Sequence, residues 1–400
     1  MPRKIYITGL GISSAIGHTL DDVVTSLQSG RTGIKTIKHV DSRFRGVLPA
    51  GEIDFTNKEL ADILEIGSVK THSRTALLGM LAAKQAWSHD NALPLRTGIV
   101  SATSVGGIDR SEIAFKKYMV TNDIGGHLHQ LVSHDCGDST ERIADYLNIE
   151  GFVSTISTAC SSSSNAMILG GRMIQNNMLD KVLVGGTDAL ALYTLNGFNT
   201  LKILDEEWCM PFDKNRRGLN LGEGAAYLTL ESEESIKVSG STPICELRGF
   251  GNTNDAFHQT ASSPNGAGAY HAMALALKRG NLDISEIDYI NAHGTATPNN
   301  DLSEGTAIKN LFKDYIPQFS STKSFTGHTL AAAGSIEAVI SVLLMKNRML
   351  VPNLNFHNIM DEINIEPIKI LNENVELKTI LSNSFGFGGN CTSLVFSETA

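Results

Sequence analysis

The stretch FVSTISTACSSSSNAMILGGRMIQNNM (152–178) has a β-branched run, then a cysteine among hydroxyl side chains, then a longer apolar segment. Residues 152–158 are typical of a strand, whereas residues 161–178 predict a helix. Apolar side chains fall on all sides of that helix, which predicts burial: Met167, Ile168, Leu169, Met173 and Ile174. Cys160 is therefore predicted to lie in the turn between a buried strand and a buried helix. Such a strand–turn–helix unit indicates an α/β fold.

The position of Cys160 suits a nucleophile. Free backbone N–H groups and the positive end of the helix dipole favour a thiolate at a helix N-terminus. The small residues around Cys160 leave room for a bulky substrate. Gly170 and Gly171 would let another helix approach closely. The alternative is a buried structural cysteine beside a serine-rich helix cap.

The composition is that of a globular protein. The 400 residues are 42% hydrophobic and 19% charged, enough for two core-sized units. The net charge of −9 argues against nucleic acid or an anionic membrane as the main partner. The longest apolar run, AVISVLLM (338–345), is under half of the ~18 residues of a membrane helix. The start, MPRKIYITGLG, lacks a signal-peptide pattern, and the five scattered cysteines indicate a reduced, cytoplasmic protein.

Short β-branched runs alternate with amphipathic stretches along the chain, which again indicates an α/β fold. The runs are KIYITG (4–9), GIVSAT (98–103), FVSTIST (152–158), KVLVGG (181–186), YINAHG (289–294) and LVFSE (394–398).

The sequence also repeats weakly. ITGLG (7–11) is similar to LRGFG (247–251), and STACSSSS (157–164) has an echo in SNSFGFGGN (382–390). Chance similarity among glycine-rich turns is the alternative. If the repeat is real, the protein is a fused duplication with its site where the halves meet. The polar stretch 231–243 is the predicted seam, which gives halves of 1–240 and 241–400.

Three further motifs supply partners for the cysteine. NAHGTATPNND (291–301) places His293 after a strand, and STKSFTGHTLAAAG (321–334) carries Lys323 and His328 before a helix with Glu337. The turn in SNSFGFGGN contains Phe385 and Phe387 and can offer a backbone N–H. Each motif alone is more often structural. Together, a thiol, two histidines and a lysine suit acyl transfer through a thioester.

With these motifs, the chain resembles the β-ketoacyl-acyl-carrier-protein synthases, the elongating condensing enzymes of type II fatty-acid and polyketide synthesis. The similarity also includes YITGLGISSAIG (6–17) and MPFDKNRRGLNLGEGAAYLTLE (210–231) and covers nearly the whole chain. It implies a thiolase fold, in which two related halves form a five-layered αβαβα sandwich.

The resemblance also implies roles. Cys160 would take an acyl chain from a carrier protein, with the N–H groups of Cys160 and Phe387 as the oxyanion hole. His293 and His328 would hold the thioester carbonyl of malonyl-carrier protein while carbon dioxide leaves and the resulting carbanion attacks the acyl group. Lys323 would orient His328.

Further roles follow from the same resemblance. Glu337 would support the region of Lys323 and His328 from its helix. Thr295 and Thr297 would contact the phosphopantetheine arm, Phe385 would contact substrate, and Phe387 would also gate the acyl pocket. No metal or separate cofactor is implied, because the substrates arrive on the carrier protein's phosphopantetheine. The expected assembly is a homodimer, with a heterodimer containing a homologous subunit as the alternative.

Two regions depart from the family pattern. GGNC (388–391) stands where many relatives have a threonine–asparagine pair. Segments 104–118 and 131–147, which would form the dimer interface and the pocket floor, carry polar residues: Asp109, Arg110, Ser111, His134, Asp135 and Asp138. A polar pocket disfavours long saturated chains. We therefore predict short, aromatic or polyunsaturated primers of a specialised polyketide or aryl-polyene pathway, with housekeeping fatty-acid elongation as the alternative.

Two other groups of residues suggest binding sites. HLHQLVSHDC (127–136) would put His127 and His129 on one face of a strand near His134, Asp135 and Cys136, so zinc is a minor alternative. Docking of an acidic carrier protein needs basic residues, and Arg216 is the preferred candidate. The full set is Lys70, Arg74, Lys116, Lys117, Arg216 and Arg217.

Overall fold

The computed structural model describes residues 3–88, 93–123 and 125–399, apart from the side chain of Lys70. Its strands are β1 Tyr6–Ser14, β2 Lys35–Thr36, β3 Pro49–Ala50, β4 Thr97–Ala102, β5 Phe152–Ile156, β6 Lys181–Asp188, β7 Gly224–Glu231, β8 Cys245–Asn254, β9 Tyr289–Asn291, β10 Gln318–Ser320, β11 Met349–Leu350, β12 Asn372–Glu373, β13 Thr379–Phe385 and β14 Asn390–Ser397. Its α-helices are α1 Leu20–Gln28, α2 Asn57–Ile63, α3 Arg74–Ala86, α4 Ile108–Thr121, α5 Cys136–Tyr146, α6 Ser162–Gln175, α7 Leu192–Thr200, α8 Glu233–Ser239, α9 Ala267–Gly280, α10 Pro298–Phe312, α11 Lys323–Thr326 and α12 Ala333–Asn347.

The strands repeat one pattern twice. In the first half the order is β1-β7-β6-β4-β5, and in the second it is β8-β14-β13-β9-β10. In both, the first two pairings are antiparallel and the last two are parallel. The halves join where β1 pairs with β8 at Tyr6–Glu246 and Ile7–Cys245. The predicted duplication is thus present in the topology, and the proposed 240/241 division falls between α8 and β8.

The helices complete five layers. Helices α3 and α5 cover the outer face of the first half, and α9 and α10 cover that of the second. Helices α6 and α12 contact each other and lie in the central core with residues from both halves of the sheet. This arrangement is the predicted αβαβα sandwich of the thiolase fold.

The two G-x-G motifs have the same structural cause. A Cβ on Gly11 of β1 would lie 2.0 Å from the Ala82 carbonyl oxygen of α3. A Cβ on Gly251 of β8 would lie 2.0 Å from the Ala272 carbonyl oxygen of α9. Glycine therefore lets an outer helix touch its strand at equivalent places in both halves.

The second part of the predicted repeat, which matched STACSSSS with SNSFGFGGN, is wrong. Strands β5 and β10 occupy equivalent edges, so the turn of Cys160 corresponds to the turn of Lys323 rather than to SNSFGFGGN. The expected helix–helix approach at Gly170 is also wrong. A Cβ there would lie 2.4 Å from Val184 Cγ1, so the glycine admits strand β6.

The most apolar helical stretch is a core element. Leu330–Asn347 is the one segment among the described residues that is long and apolar enough to cross a membrane. It was missed by a search for uninterrupted apolar runs because serine, glycine and glutamate interrupt it. Within the fold 89% of it is buried, as expected for the central helix of a sandwich.

Candidate active site

The predicted site residues meet at the carboxyl ends of the parallel strands. Cys160 follows β5, His293 follows β9, Lys323 follows β10, and Phe387 follows β13. Because parallel strands end at the same edge, motifs distant in sequence come together there. A cavity of about 300 Å³ is lined by Cys160, His293, Thr295, Thr297, His328, Phe385 and Phe387. Lys323 and Glu337 are buried and do not line it.

Cys160 is a buried thiol at the start of a helix. Its side chain is 5% exposed, Ala159 before it has a φ of 53°, and α6 begins two residues later. Burial raises the pKa of Cys160 to about 11, although the Lys323 charge and the Phe387 N–H lower it. Desolvation by burial therefore outweighs the effect of the helix terminus on the pKa of this thiol.

The two histidines are neutral hydrogen-bond donors. Burial, followed by the Lys323 charge, lowers the pKa of both His293 and His328 well below the ordinary value. His293 Nδ1 lies 3.1 Å from Lys323 Nζ, and His328 Nδ1 accepts the Leu330 N–H at 3.1 Å. Because Nδ1 is an acceptor in each ring, the proton of each neutral imidazole is on Nε2. The ring centroids are 5.4 Å apart, and both rings line the cavity.

Lys323 acts on a different histidine from the one expected. Its Nζ contacts His293 Nδ1 and the Glu337 carboxylate, and it makes no hydrogen bond to His328 among the described contacts. The prediction that Lys323 orients His328 is therefore wrong in its contact, although the charge of Lys323 affects both rings. Burial raises the pKa of Glu337 to about 7, against the effect of Lys323.

The FGFGG turn brings a second backbone donor to the cysteine. The Phe387 N–H is near enough to the Cys160 sulfur to lower the pKa of its thiol, and both residues line the cavity. The Phe387 ring stacks on Phe198 at 5.8 Å, and the Phe385 ring lies 5.7 Å from that of His293. Two backbone N–H groups, of Cys160 and Phe387, can therefore face an oxygen bound beside the thiol.

Thr295 and Thr297 lie where a substrate arm could enter. Their hydroxyls are 2.9 Å apart and both side chains line the cavity. Thr297 also caps α10 by accepting the Asn300 N–H at 3.4 Å. A role for these hydroxyls in pantetheine binding stays a prediction.

Two buried carboxylates in the site were missed by sequence reasoning. Glu304 on α10 accepts the backbone N–H groups of His293 at 2.9 Å and Gly294 at 2.8 Å. Asp188 at the end of β6 accepts the Thr103 hydroxyl at 2.5 Å and the Ala331 N–H at 2.9 Å. No local pattern reveals them, because each bonds a backbone segment that only folding brings near.

These carboxylates have raised pKa values. Burial raises the pKa of Glu304 to about 7 and that of Asp188 to about 6, although accepted hydrogen bonds oppose the shift. Asp188 joins the loop after β4 to the segment that follows His328. Glu304 fixes the loop of His293. Both therefore set the backbone that carries the histidines.

The polar residues expected at the pocket floor lie elsewhere. None of Arg110, Ser111, His134 and Asp135 lines the Cys160 cavity. Ser111 Oγ is 2.9 Å from His134 Nδ1 beside a separate apolar groove, and Asp135 caps α5. The residue basis for the primer prediction is therefore wrong in this chain.

The strand on which the zinc alternative depended does not form. Gly125–His134 forms a 3₁₀ helix and not a strand, so His127 and His129 do not share a face by strand alternation. No group of three or more His, Cys, Asp or Glu side chains suited to a metal occurs among the described residues.

Two of the proposed docking residues are structural. Arg74 is 7% exposed and binds Glu223 through two hydrogen bonds of 2.6 and 2.8 Å. The Arg216 side chain is also 7% exposed, lies 3.9 Å from Asp301, and donates to the Pro298 carbonyl. Arg216 is therefore wrong as the preferred candidate.

The remaining docking candidates differ in position. Arg217 has a 55% exposed side chain and lines the cavity mouth with Lys202, which was not predicted. Lys116 and Lys117 are exposed on α4. The Lys70 side chain lies outside the described part of the chain.

Comparisons with known proteins match both halves of the chain. The family models described as β-ketoacyl synthase, N-terminal domain and C-terminal domain match residues 2–235 and 244–357. The 3-oxoacyl-[acyl-carrier-protein] synthase 2 of Coxiella burnetii (strain RSA 493 / Nine Mile phase I) is 32% identical over 412 residues, covering 99% of each chain.

Solved structures of ketosynthases are also similar. The ishigamide ketosynthase/chain length factor has a TM-score of 0.93 at 26% identity, with 100% of both chains covered. The ketosynthase ApeO, solved in complex with its chain length factor ApeC from Xenorhabdus doucetiae, has a TM-score of 0.84 at 31% identity. That match covers 99% of this chain and 98% of the other.

Proposed function

Because the chain belongs to the β-ketoacyl synthase family, we propose that it condenses a Cys160-bound acyl group with malonyl-acyl-carrier protein. The observation that supports this most directly is the pairing of a buried thiol with two neutral Nε2–H imidazoles on one cavity. That set can stabilise negative charge on two different carbonyl oxygens, which a condensation requires.

Acylation of Cys160 comes first. The sulfur attacks the thioester carbonyl of an acyl-carrier protein, and the N–H groups of Cys160 and Phe387 stabilise the oxyanion. The carbon–sulfur bond to pantetheine then breaks, and the pantetheine thiol leaves with the cysteine proton. The exchange of one thioester for another changes the free energy little, which explains the choice of a thiol.

Condensation uses the histidines. The bond between the malonyl carboxylate and its methylene carbon breaks, carbon dioxide leaves, and the electron pair forms an enolate. The Nε2–H groups of His293 and His328 donate to the enolate oxygen, where charge develops. The enolate carbon then attacks the acyl-Cys160 carbonyl, and the cysteine leaves as a thiolate that takes up a proton from solvent. These steps transfer no electrons to or from an outside reagent, so they call for no redox cofactor.

The test of this function is a direct product assay. Malonyl- and acyl-carrier protein are mixed with the enzyme, and β-ketoacyl-carrier protein is detected by intact mass. A product one two-carbon unit longer, absent with Cys160→Ala, supports the proposal. Carbon dioxide release without any elongated product from every primer tried would contradict it.

The carrier protein is the partner we place at the cavity mouth. Relatives are named for acyl-carrier protein, and Arg217 and Lys202 line the opening. An acidic carrier would be attracted to these two cations on an otherwise acidic protein. Weaker carrier binding by Lys202→Glu, with free pantetheine thioesters turned over normally, supports this placement.

A second chain is proposed on the apolar face formed by α4, residues 125–134, α7 and β5. Its exposed residues include Phe115 at 63%, Val132 at 67% and Tyr193 at 64%. Strand β5 is the outermost strand of its half-sheet and exposes Phe152 and Val153, so its edge is also unpaired. A homodimer in the cytoplasm is the simplest assembly. The ketosynthase–chain length factor complexes favour a heterodimer as the second candidate.

The pathway is a separate question from the chemistry. The chain is 32% identical to a synthase 2 and 31% identical to the ApeO ketosynthase, so similarity supports both readings. We compare loading of hexadecanoyl-, butanoyl- and an aryl-enoyl-carrier protein onto Cys160. Faster loading of the aryl-enoyl or butanoyl group supports a specialised pathway. Faster loading of the hexadecanoyl group supports fatty-acid elongation.

A further inference from the structure

Asn390 stands at the end of the glycine turn that carries Phe387. Its carbonyl accepts the Gly386 N–H at 2.8 Å, which closes the turn. Gly388 and Gly389 within the turn have φ values of 81° and 82°, a region that glycine enters freely. A turn with two such glycines needs contacts from outside to hold one conformation.

The Asn390 side chain supplies one such contact. Its Oδ1 accepts the Ser161 hydroxyl at 2.7 Å and the Asn165 amide at 2.8 Å, with the Asn252 amide at 3.2 Å. Ser161 directly follows the nucleophile, and Asn165 lies in the first turn of α6. The Ser161 hydroxyl also lies 2.8 Å from the Thr158 carbonyl oxygen. Asn390 is therefore bonded to the turn of Cys160.

This link joins the two sources of the oxyanion hole. The Cys160 N–H comes from the first half of the chain, and the Phe387 N–H comes from the second. The Ser161–Asn390 bond spans 229 residues of sequence. Asn390 also lies within GGNC, where this sequence departs from the threonine–asparagine pair of many relatives.

We propose that Asn390 is a positioning residue that holds the Phe387 and Cys160 backbone donors at the spacing that an oxyanion requires. The proposal rests on the proposed function. Donors must lie within about 2.7–3.1 Å of the oxyanion. A misplacement of about 1 Å can cost on the order of 10²-fold in rate. Asn390 acts on the acylation oxyanion and not on the enolate, which the histidines hold.

The test separates the two half-reactions. Asn390→Ala is expected to slow transfer of an acyl group from its carrier protein to Cys160 by about tenfold or more. Decarboxylation of malonyl-carrier protein should stay within about twofold, because His293 and His328 are untouched. Transfer is followed by intact mass and decarboxylation by carbon dioxide release. A variant that merely unfolds loses both rates together.

Two further variants distinguish loss of the Asn390 link from a general destabilisation of the turn. Asn254→Ala removes a different tether, since the Asn254 amide donates to the Gly388 carbonyl at 3.1 Å without touching the Cys160 turn. It should slow acylation less than Asn390→Ala. Ser161→Ala and Asn390→Ala should be non-additive in the double variant, because they remove one shared bond.

The outcomes distinguish this inference from the proposed function. If the wild-type enzyme neither acylates nor decarboxylates, the proposed function fails. If the wild type does both, an Asn390→Ala variant that acylates Cys160 at the wild-type rate would overturn the positioning role and leave the proposed function intact. An equal loss in Asn254→Ala, or additive losses in the double variant, would also overturn it.

Discussion

At the scale of single residues, the site works by burial. Cys160, His293, His328, Lys323 and Glu337 are each at most 5% exposed. Burial disfavours charge, so the thiol and both imidazoles rest neutral. The Lys323–Glu337 pair supplies the fixed charge next to His293. Chemistry therefore begins from neutral donors in a buried site, where hydrogen bonds to a developing anion are strong.

Removal of the nucleophile should stop the reaction at its first step. Cys160→Ala is expected to abolish acylation from a carrier-protein thioester and to leave the fold intact, because the neighbouring residues are small. Intact mass and a melting curve measure the two effects. An acyl adduct on any other residue would show that the nucleophile has been misassigned.

The pKa of Cys160 predicts its reactivity toward alkylation. Below a pKa of about 11, the thiolate fraction rises tenfold for each unit of pH. The iodoacetamide rate of Cys160 should therefore rise steadily from pH 7 to 9, once corrected for Cys160→Ala. A plateau below pH 8 would show that the helix terminus outweighs burial and that a thiolate is the resting form.

The histidines and the lysine should separate by half-reaction. His293→Ala and His328→Ala should each slow malonyl decarboxylation by about 10²–10³-fold and affect self-acylation less. Lys323→Ala should slow decarboxylation as well. Because Lys323 contacts His293, adding Lys323→Ala should slow decarboxylation little in the His293→Ala variant and more in the His328→Ala variant. Carbon dioxide release measures both effects. The reverse pattern would restore His328 as the partner of Lys323.

At the scale of elements, the duplicated halves share one packing device. The G-x-G strands β1 and β8 each approach the backbone of an outer helix, as the distances to the Ala82 and Ala272 carbonyl oxygens show. The same edges of the sheets then carry the chemistry, with Cys160 and Lys323 on equivalent turns. In the first half this turn carries the nucleophile Cys160, and in the second half it carries Lys323, whose charge affects His293.

This packing predicts the effect of a single methyl group. Gly251→Ala should destabilise the protein by about 1–3 kcal/mol or more, because helix α9 must move away from β8. Gly67→Ala is the control, since nothing lies within 4 Å of its added Cβ, and it should change stability little. Urea unfolding measures both. Equal midpoints for the two variants would refute the close-packing argument.

At the scale of the whole molecule, an apolar face is left uncovered. Exposed aromatic and aliphatic side chains on α4, α7 and the edge strand β5 are too many for a surface that faces water alone. We propose that a second chain covers this face.

The covered face predicts a dimer. The purified chain should sediment at about twice its mass of 43.0 kDa, and Phe115→Glu should shift it toward monomer. Ile370→Glu is the matched control, because Ile370 is 69% exposed but lies outside this face, and it should leave the dimer intact. A monomer that dimerises only with a homologous subunit would favour the heterodimer instead.

Sequence reasoning reached the fold and the reacting groups because these depend on local pattern. Strand and helix periodicity predicted an α/β fold, and the set of Cys160, His293, Lys323 and His328 indicated acyl transfer. The resemblance of these motifs to the β-ketoacyl synthases implied the layered thiolase fold and the condensation. The G-x-G echo revealed the duplication, because a close backbone contact admits one residue type in both halves.

Folding alone decided which groups touch. The bonds from Lys323 to His293, from Asp188 to Ala331 and from Asn390 to Ser161 join segments far apart in the chain. Burial, which raises the pKa of Cys160, is likewise a sum over all neighbours. Neither can be read from spacing, because hydrogen bonds and desolvation depend on distances in three dimensions.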